Sequence, residues 1–158
     1  MITSFLGKYF FLSNFYTGEK FFHQIGDLNL LWDSSEHAFM AGKNLDPNYV
    51  LKVHAAPNPG TAKMLGRQVK LRDDWEDIKF QWMLEVLMSK FNPGSSCLKR
   101  LLETEKETLH EFNSHGDRIW GQTYDIASKK WIGENYLGKA LMAVRDARNP
   151  KKPPTLLT

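Results

Sequence analysis

From Ser34 to Ala147, apolar residues recur every three or four positions, in runs bracketed by helix start and stop signals. Ser34 or Ser35 caps a first helix running to about Asn44, with Pro47 beyond its end. Residues 48–55 predict a short second helix. Asn58-Pro59 supplies the cap and first position of a third, to about Val69. Asp73 or Asp74 caps the strongest, Asp74 to Phe91, where Trp75, Ile78, Trp82 and Val86, with Met83, Leu87 and Phe91, keep the helical spacing. Asn92-Pro93-Gly94 ends it. Ser95 or Ser96 opens another helix to about Leu102, and residues 105–113 predict one more. A polar, glycine-containing stretch, Asn113 to Glu134, follows without a helical period. Residues 135–147 close the pattern with Leu137, Leu141 and Val144 on one face.

The first third is different. FLGKYFFLSNFY, residues 5–16, is apolar and aromatic but interrupted by Gly7 and Ser13-Asn14. Residues 20–32 hold short β-compatible runs around Gly26-Asp27, a turn signal. Two or three short strands are expected there. The fold class read from the chain is mainly α: a compact helical domain with a small β element near the N-terminus. One domain spans 1–148. Residues 149–158, with Pro150, Pro153 and Pro154 around two lysines, are expected to be a mobile tail.

Composition narrows the classes. The chain has 158 residues, enough for one domain with a core of its own. A hydrophobic share of 42% and a charged share of 25% exclude a disordered chain. The single cysteine, Cys97, excludes an internal disulfide and a thiolate-rich metal site, and reads as filler. No apolar run reaches the ~18 residues of a membrane span, and no signal pattern opens the chain, so a cytosolic protein is expected. Net charge is +3, which permits an anionic partner without requiring one. Five Trp among 158 residues suggest an aromatic core, or a pocket for a flat ligand.

Three segments can carry chemistry. In SSEHAFMAGK, residues 34–43, Glu36 and Lys43 are seven apart, which on a helix is one face and ~10 Å of rise. Such groups cannot pair directly but can approach two sides of a ligand. In DRIWG, residues 117–121, Asp117 and Trp120 put a carboxylate and a flat ring near one another. GENYLG, 133–138, is a weak anion signal, because the Lys-Ser/Thr of a P-loop is missing. His37 reads as structural, the histidines show no metal-ligand spacing, and no serine-esterase motif occurs.

Taken in order, FLGKYFFLSNFY, SSEHAFMAGK, AKMLGR (62–67), DDWEDIKFQWM (73–83), KF (90–91), LLET (101–104), LHEF (109–112), DRIWG and NYLGKALMAVR (135–145) resemble the NADAR family, also called YbiA-like, from about Phe5 to Arg145. The resemblance implies a mainly helical fold with one pocket and cleavage of N-glycosidic bonds. One branch of the family acts on phosphoribosylamino intermediates of riboflavin biosynthesis, releasing ribose 5-phosphate; another removes ADP-ribose from guanine in nucleic acid. By motif match, Glu36, Lys43 and Asp117 become catalytic candidates. Asn14, Phe15, Trp82, Trp120, Gly121 and Asn135 become substrate-binding candidates. Lys63 and Arg67, four apart on one helix face, join them as phosphate ligands or remain solvated charges. The chain departs from the family at 122–135, QTYDIASKKWIGEN, where a glycine-rich stretch is replaced; this loop is expected to frame the pocket mouth and to affect substrate choice.

The chemistry implied is stabilisation of positive charge at the anomeric carbon by a carboxylate, with a proton delivered to the leaving nitrogen. Glu36 does the acid–base work, Asp117 stabilises charge or holds sugar hydroxyls, and Trp120 stacks on the base. Lys43 is either a Schiff-base nucleophile or a phosphate ligand. No metal or redox cofactor is required. The partner is a ribosyl-phosphate or ADP-ribosyl small molecule, or ADP-ribosylated DNA or RNA. The competing reading is a non-catalytic module that binds ADP-ribose, a nucleotide or nucleic acid.

Overall fold

The computed structural model describes residues 1–151. The expected mobile tail falls for the most part outside the described residues. A 3-10 turn, Gly7–Leu12, is followed by a hairpin of β1 (Phe21–Ile25) and β2 (Leu28–Trp32), then α1 (Ser35–Ala41), α2 (Pro47–His54), α3 (Pro59–Gln68), α4 (Trp75–Lys90) and α5 (Ser96–Glu103). A second hairpin, β3 (Thr123–Asp125) and β4 (Lys130–Ile132), precedes α6 (Tyr136–Arg148). The fold is mainly α with small β elements, as the hydrophobic period implies.

The caps explain where the helices begin. Ser34 accepts from His37 N at α1, Asn58 from Thr61 N at α3 and Ser95 from Leu98 N at α5. Asp74 stands at the start of α4 but makes no cap bond; its carboxylate is taken by Arg72 instead. In the first hairpin, Phe21 pairs with Trp32 and Ile25 with Leu28, and Gly26 makes the turn at φ +57°. Phe21, Ile25 and Trp32 face the core, while Phe22 and Leu31 face out.

The apolar stretch 5–16 holds a 3-10 turn, at whose start Gly7 takes a left-handed φ of +56°. Two expectations are corrected. Residues 105–113 are not a helix. Leu109 bridges Ile2, and Phe112 bridges Gln122, so this stretch is extended and paired. The polar segment 113–134 contains the second hairpin, which its turn-rich composition hides.

The seven residues of α1 are all buried, and α2, α3 and α4 pack around it. Its Ala38, Phe39 and Ala41 belong to one core with Trp32, Met83, Leu87, Leu101, Leu137 and Leu141. Each large side chain in that core contributes about 1.5–3 kcal/mol of apolar burial. A wholly buried helix that carries a glutamate is therefore the centre of both the fold and the site. Among the described residues, no helix is long and apolar enough to cross a membrane.

Candidate active site

The N-terminal half of α1 is built to hold Glu36. The Asn14 carbonyl accepts from Glu36 N at 3.0 Å, and Asn14 Oδ1 accepts from Ser35 Oγ at 2.7 Å. The Asn14 amide also reaches the Met83 sulfur at 3.7 Å. Beneath this junction Lys90, 2% exposed, donates from Nζ to the Ser13 carbonyl at 2.8 Å. Burial holds that ammonium down to about 8. His37, the next residue of α1, is structural. Its Nε2 faces the Ala56 carbonyl at 3.0 Å, which can only accept, so the proton sits on Nε2 and Nδ1 accepts from Ser34 Oγ at 2.7 Å.

These elements enclose a cavity of about 280 Å³. Glu36, Phe39 and Met40 of α1 line it, with Lys43 just past the helix, Lys63 and Arg67 of α3, and Trp75, Lys79 and Met83 of α4. The rest of the wall is Ser13–Asn14–Phe15, together with Glu111, Asp117 and Trp120. Of the eleven candidates named from the sequence, the structure brings eight to this cavity: Asn14, Phe15, Glu36, Lys43, Lys63, Arg67, Asp117 and Trp120. Lys43 lies beyond the last turn of α1, yet keeps the face of Glu36 because Gly42 stays right-handed.

Glu36 is 6% exposed, and no hydrogen bond holds its carboxylate among the described residues. Burial pushes it up to about 7, and Asp117 adds to this; Lys63, Lys43 and Arg67 pull the other way. Lys43 is half-buried. Desolvation lowers it below the usual lysine range, as do Arg67 and Lys63, against Glu36 and Glu76. Its Nζ donates to the Gly66 carbonyl at 3.3 Å and lies 5.9 Å from the Trp75 ring centre. Lys63 Nζ stands 5.7 Å from the Phe15 ring centre. Trp120 is held edge-on by Phe39 at 5.1 Å and at a tilt by Phe80 at 5.3 Å.

Three candidates lie elsewhere. Trp82 turns away from the cavity: its indole donates to the Ala38 carbonyl at 3.3 Å, and its ring meets His23 at 5.1 Å. It also covers Gly42, where a Cβ would stand 2.1 Å from the indole nitrogen. Gly121 is a close-approach glycine; a Cβ there would meet the Glu111 carbonyl oxygen at 2.5 Å. Asn135 is buried at φ +53°, where its Oδ1 accepts from Glu111 N at 3.0 Å and its amide donates to the Leu109 carbonyl at 2.9 Å. The replaced loop is also not at the cavity. Residues 122–135 contribute nothing to its lining, and β4 packs Trp131 on His110 and Phe112 instead.

Glu111 is the cavity carboxylate missing from the candidates read from the sequence, although it sits in the LHEF segment. In the extended chain His110 and Phe112 point to the hairpin and Glu111 points into the cavity, the alternation of a strand. Burial raises its carboxyl to about 7, reinforced by Asp117 and Glu36 and opposed by Lys63. Asp117 is exposed, and its Oδ1 accepts from the amides of Ile119 at 2.9 Å and Trp120 at 3.0 Å. That carboxylate shapes the turn that presents Trp120.

The mainly helical fold thus encloses one cavity lined by two carboxyls that burial pushes up to about 7, four basic side chains and two indoles. The model of the NADAR domain matches residues 4–147, and the chain belongs to this family. It is 36% identical over 129 residues to a protein named N-glycosidase from Nostoc punctiforme, covering 78% of this chain and 79% of that one. It is 35% identical over 117 residues to the N-glycosidase YbiA of Escherichia coli, covering 73% and 69% respectively. A riboflavin biosynthesis protein of Vibrio vulnificus is 33% identical over 149 residues, which is 93% of this chain but 38% of that larger protein. The solved NMR structure of E. coli YbiA superposes with a TM-score of 0.71 at 31% identity, covering 92% of this chain and 83% of the other.

Proposed function

We propose that this protein is an N-glycosidase that hydrolyses the bond between a ribosyl carbon and the nitrogen of a base or base-like heterocycle. The observation that carries the reading is Glu36, a carboxylate without a partner on a fully buried helix, facing a cavity ringed by Lys43, Lys63 and Arg67. Folding alone has no use for such a group. A transition state with positive charge on the sugar does. The N-glycosidase names of its relatives support the same class.

In this reading Glu36 acts in its ionised form, which the surrounding cations favour against the burial that pushes it up to about 7; it faces the anomeric carbon and takes a proton from the attacking nucleophile. Lys63 and Arg67 hold phosphate oxygens, and Trp120 stacks on the heterocycle. Asp117 acts chiefly through the turn it closes, with one oxygen left for a sugar hydroxyl. The substrate is either a phosphoribosylaminopyrimidine, releasing ribose 5-phosphate, or ADP-ribosylated guanine in nucleic acid, releasing ADP-ribose. A phosphoribosylaminopyrimidine and a guanine-ADP-ribosylated DNA oligonucleotide, incubated side by side and read by mass spectrometry, separate the two. Turnover of neither, together with tight binding of ADP-ribose, sinks the enzyme reading in favour of a binding module.

Lys43 has two roles open to it, and its environment favours the nucleophile. Desolvation and two neighbouring cations release its proton more readily than in water. Borohydride added during turnover is expected to trap a sugar on the wild-type chain, and Lys43→Ala to abolish the adduct. Turnover without an adduct leaves Lys43 as a phosphate ligand, in which case Lys43→Ala raises KM about tenfold or more and spares kcat.

A further inference from the structure

We propose that Glu111 is the second catalytic carboxylate of this site, the acid that gives its proton to the leaving nitrogen while Glu36 acts as the ionised partner. The inference rests on the N-glycosidase reading and assigns the one proton that reading leaves without a source.

Geometry comes first. Glu111 lines the cavity with Glu36 and Trp120, and no hydrogen bond or ion pair occupies its carboxylate among the described residues. Its backbone, by contrast, is fixed on both sides. Glu111 N donates to Asn135 Oδ1 at 3.0 Å, and its carbonyl accepts from Gln122 N at 2.8 Å. Gly121 clears the space against that carbonyl, since a Cβ there would come within 2.5 Å. Asn135 takes a left-handed φ of +53° and spends its side chain on this segment rather than on capping α6. An acid that must meet its target within tenths of an ångström needs this kind of support. Gly121 and Asn135, which the family resemblance put forward as substrate contacts, are in this view positioning residues for Glu111.

The surrounding charges then sort the two glutamates. Glu36 looks at three cations, Lys63, Lys43 and Arg67, opposed by Asp117 and by Glu111 itself when that is ionised. Glu111 looks at two carboxylates, Asp117 of the loop and Glu36 of α1, with Lys63 of α3 the one cation. His110 is turned away, its Nδ1 engaged with Gln122 Oε1 at 2.6 Å and its ring stacked on Trp131. When the pair holds one proton, Glu111 is assigned it, because three cations face Glu36 and one faces Glu111. Asp117 is less suited to this task, because it is exposed and one of its oxygens is held by two amides.

The step balances. The Glu111 hydroxyl proton passes to the leaving nitrogen as the C–N bond breaks and its electron pair moves to nitrogen. A water oxygen bonds to the anomeric carbon and its proton passes to Glu36. The products are a sugar with an anomeric hydroxyl and a heterocycle with an N–H, and solvent returns the proton from Glu36 to Glu111. Capture by Lys43 leaves the first transfer unchanged.

The test is the pH dependence of kcat in wild type, Glu36→Gln, Glu111→Gln and Asp117→Asn, on whichever of the two substrates above is cleaved. Wild type is expected to give a bell with both limbs near neutrality. Glu111→Gln is expected to lower kcat about 10²–10³-fold and remove the alkaline limb. Asp117→Asn keeps that limb and acts mainly on KM. Carbon-13 NMR of the free wild-type protein reads the Glu111 carboxyl directly: a midpoint near 7 that drops in Glu36→Gln supports the proposal. An alkaline limb that survives Glu111→Gln, or a midpoint in the ordinary carboxylate range, overturns it while leaving the N-glycosidase reading intact. A wild-type chain inactive on both substrates overturns that reading, and this inference with it.

Discussion

Glu36→Gln is expected to lower kcat by at least about 10³-fold and, at alkaline pH, to make the protein more stable. The loss of rate follows from removing the charge that faces the anomeric carbon. The gain in stability follows from linkage. The folded chain holds the Glu36 proton up to about 7, whereas the unfolded chain releases it near 4.5. Stability from this group is therefore complete below pH 4.5 and is lost as pH rises through 7. A shift of that size corresponds to roughly 3 kcal/mol above neutrality. Glutamine never ionises, so the variant recovers part of it. Urea unfolding at pH 5 and pH 8 checks this: the variant should match wild type at pH 5 and exceed it by about 1–3 kcal/mol at pH 8. A variant that turns over at more than a tenth of the wild-type rate would remove Glu36 from the chemistry.

The second large effect is expected at a residue that lines no cavity. Asn135→Ala removes the acceptor of Glu111 N, which is partly buried, and the donor to the Leu109 carbonyl, which is fully buried. Two unpaired backbone groups cost about 2–5 kcal/mol, and alanine at a left-handed φ adds roughly 1 kcal/mol. The chain from Leu109 to Phe112 is then free to shift, and Glu111 with it. We expect a fall in melting temperature of about 10 °C or more and a fall in kcat well beyond the fall in kcat/KM that binding alone would give. Asn135→Gly relieves the strain but not the lost bonds, so it should recover a small part of the stability and none of the rate. An Asn135→Ala protein of normal stability and activity would show that this contact does not hold the site.

Both effects bear on what could be read from the chain. The helices were legible because each requirement is local. Ser34, Asn58 and Ser95 are caps whose oxygens find an amide three residues on, and the apolar period of 74–91 needs no distant partner to be seen. Glu36 and Lys43 were legible for the same reason: seven residues on a helix return to one face whatever surrounds it. Lys63 and Arg67 are likewise neighbours by helical spacing.

Only the tertiary structure decided the rest. Whether a glutamate is solvated or buried cannot be seen in SSEHAFMAGK; it depends on α2, α3 and α4 closing around α1. Residues 105–113 carry a plausible helical pattern, but Leu109 pairs with Ile2, over a hundred positions away, and that pairing draws the segment straight and turns Glu111 inward. Trp82 and Trp120 are alike as letters, yet one indole is spent on the Ala38 carbonyl and the other stands at the cavity wall. Local spacing fixes which faces a helix offers. Burial, desolvation and the meeting of Glu36 and Glu111 at one cavity are properties of the space between elements, and that space exists only once distant parts of the chain have met.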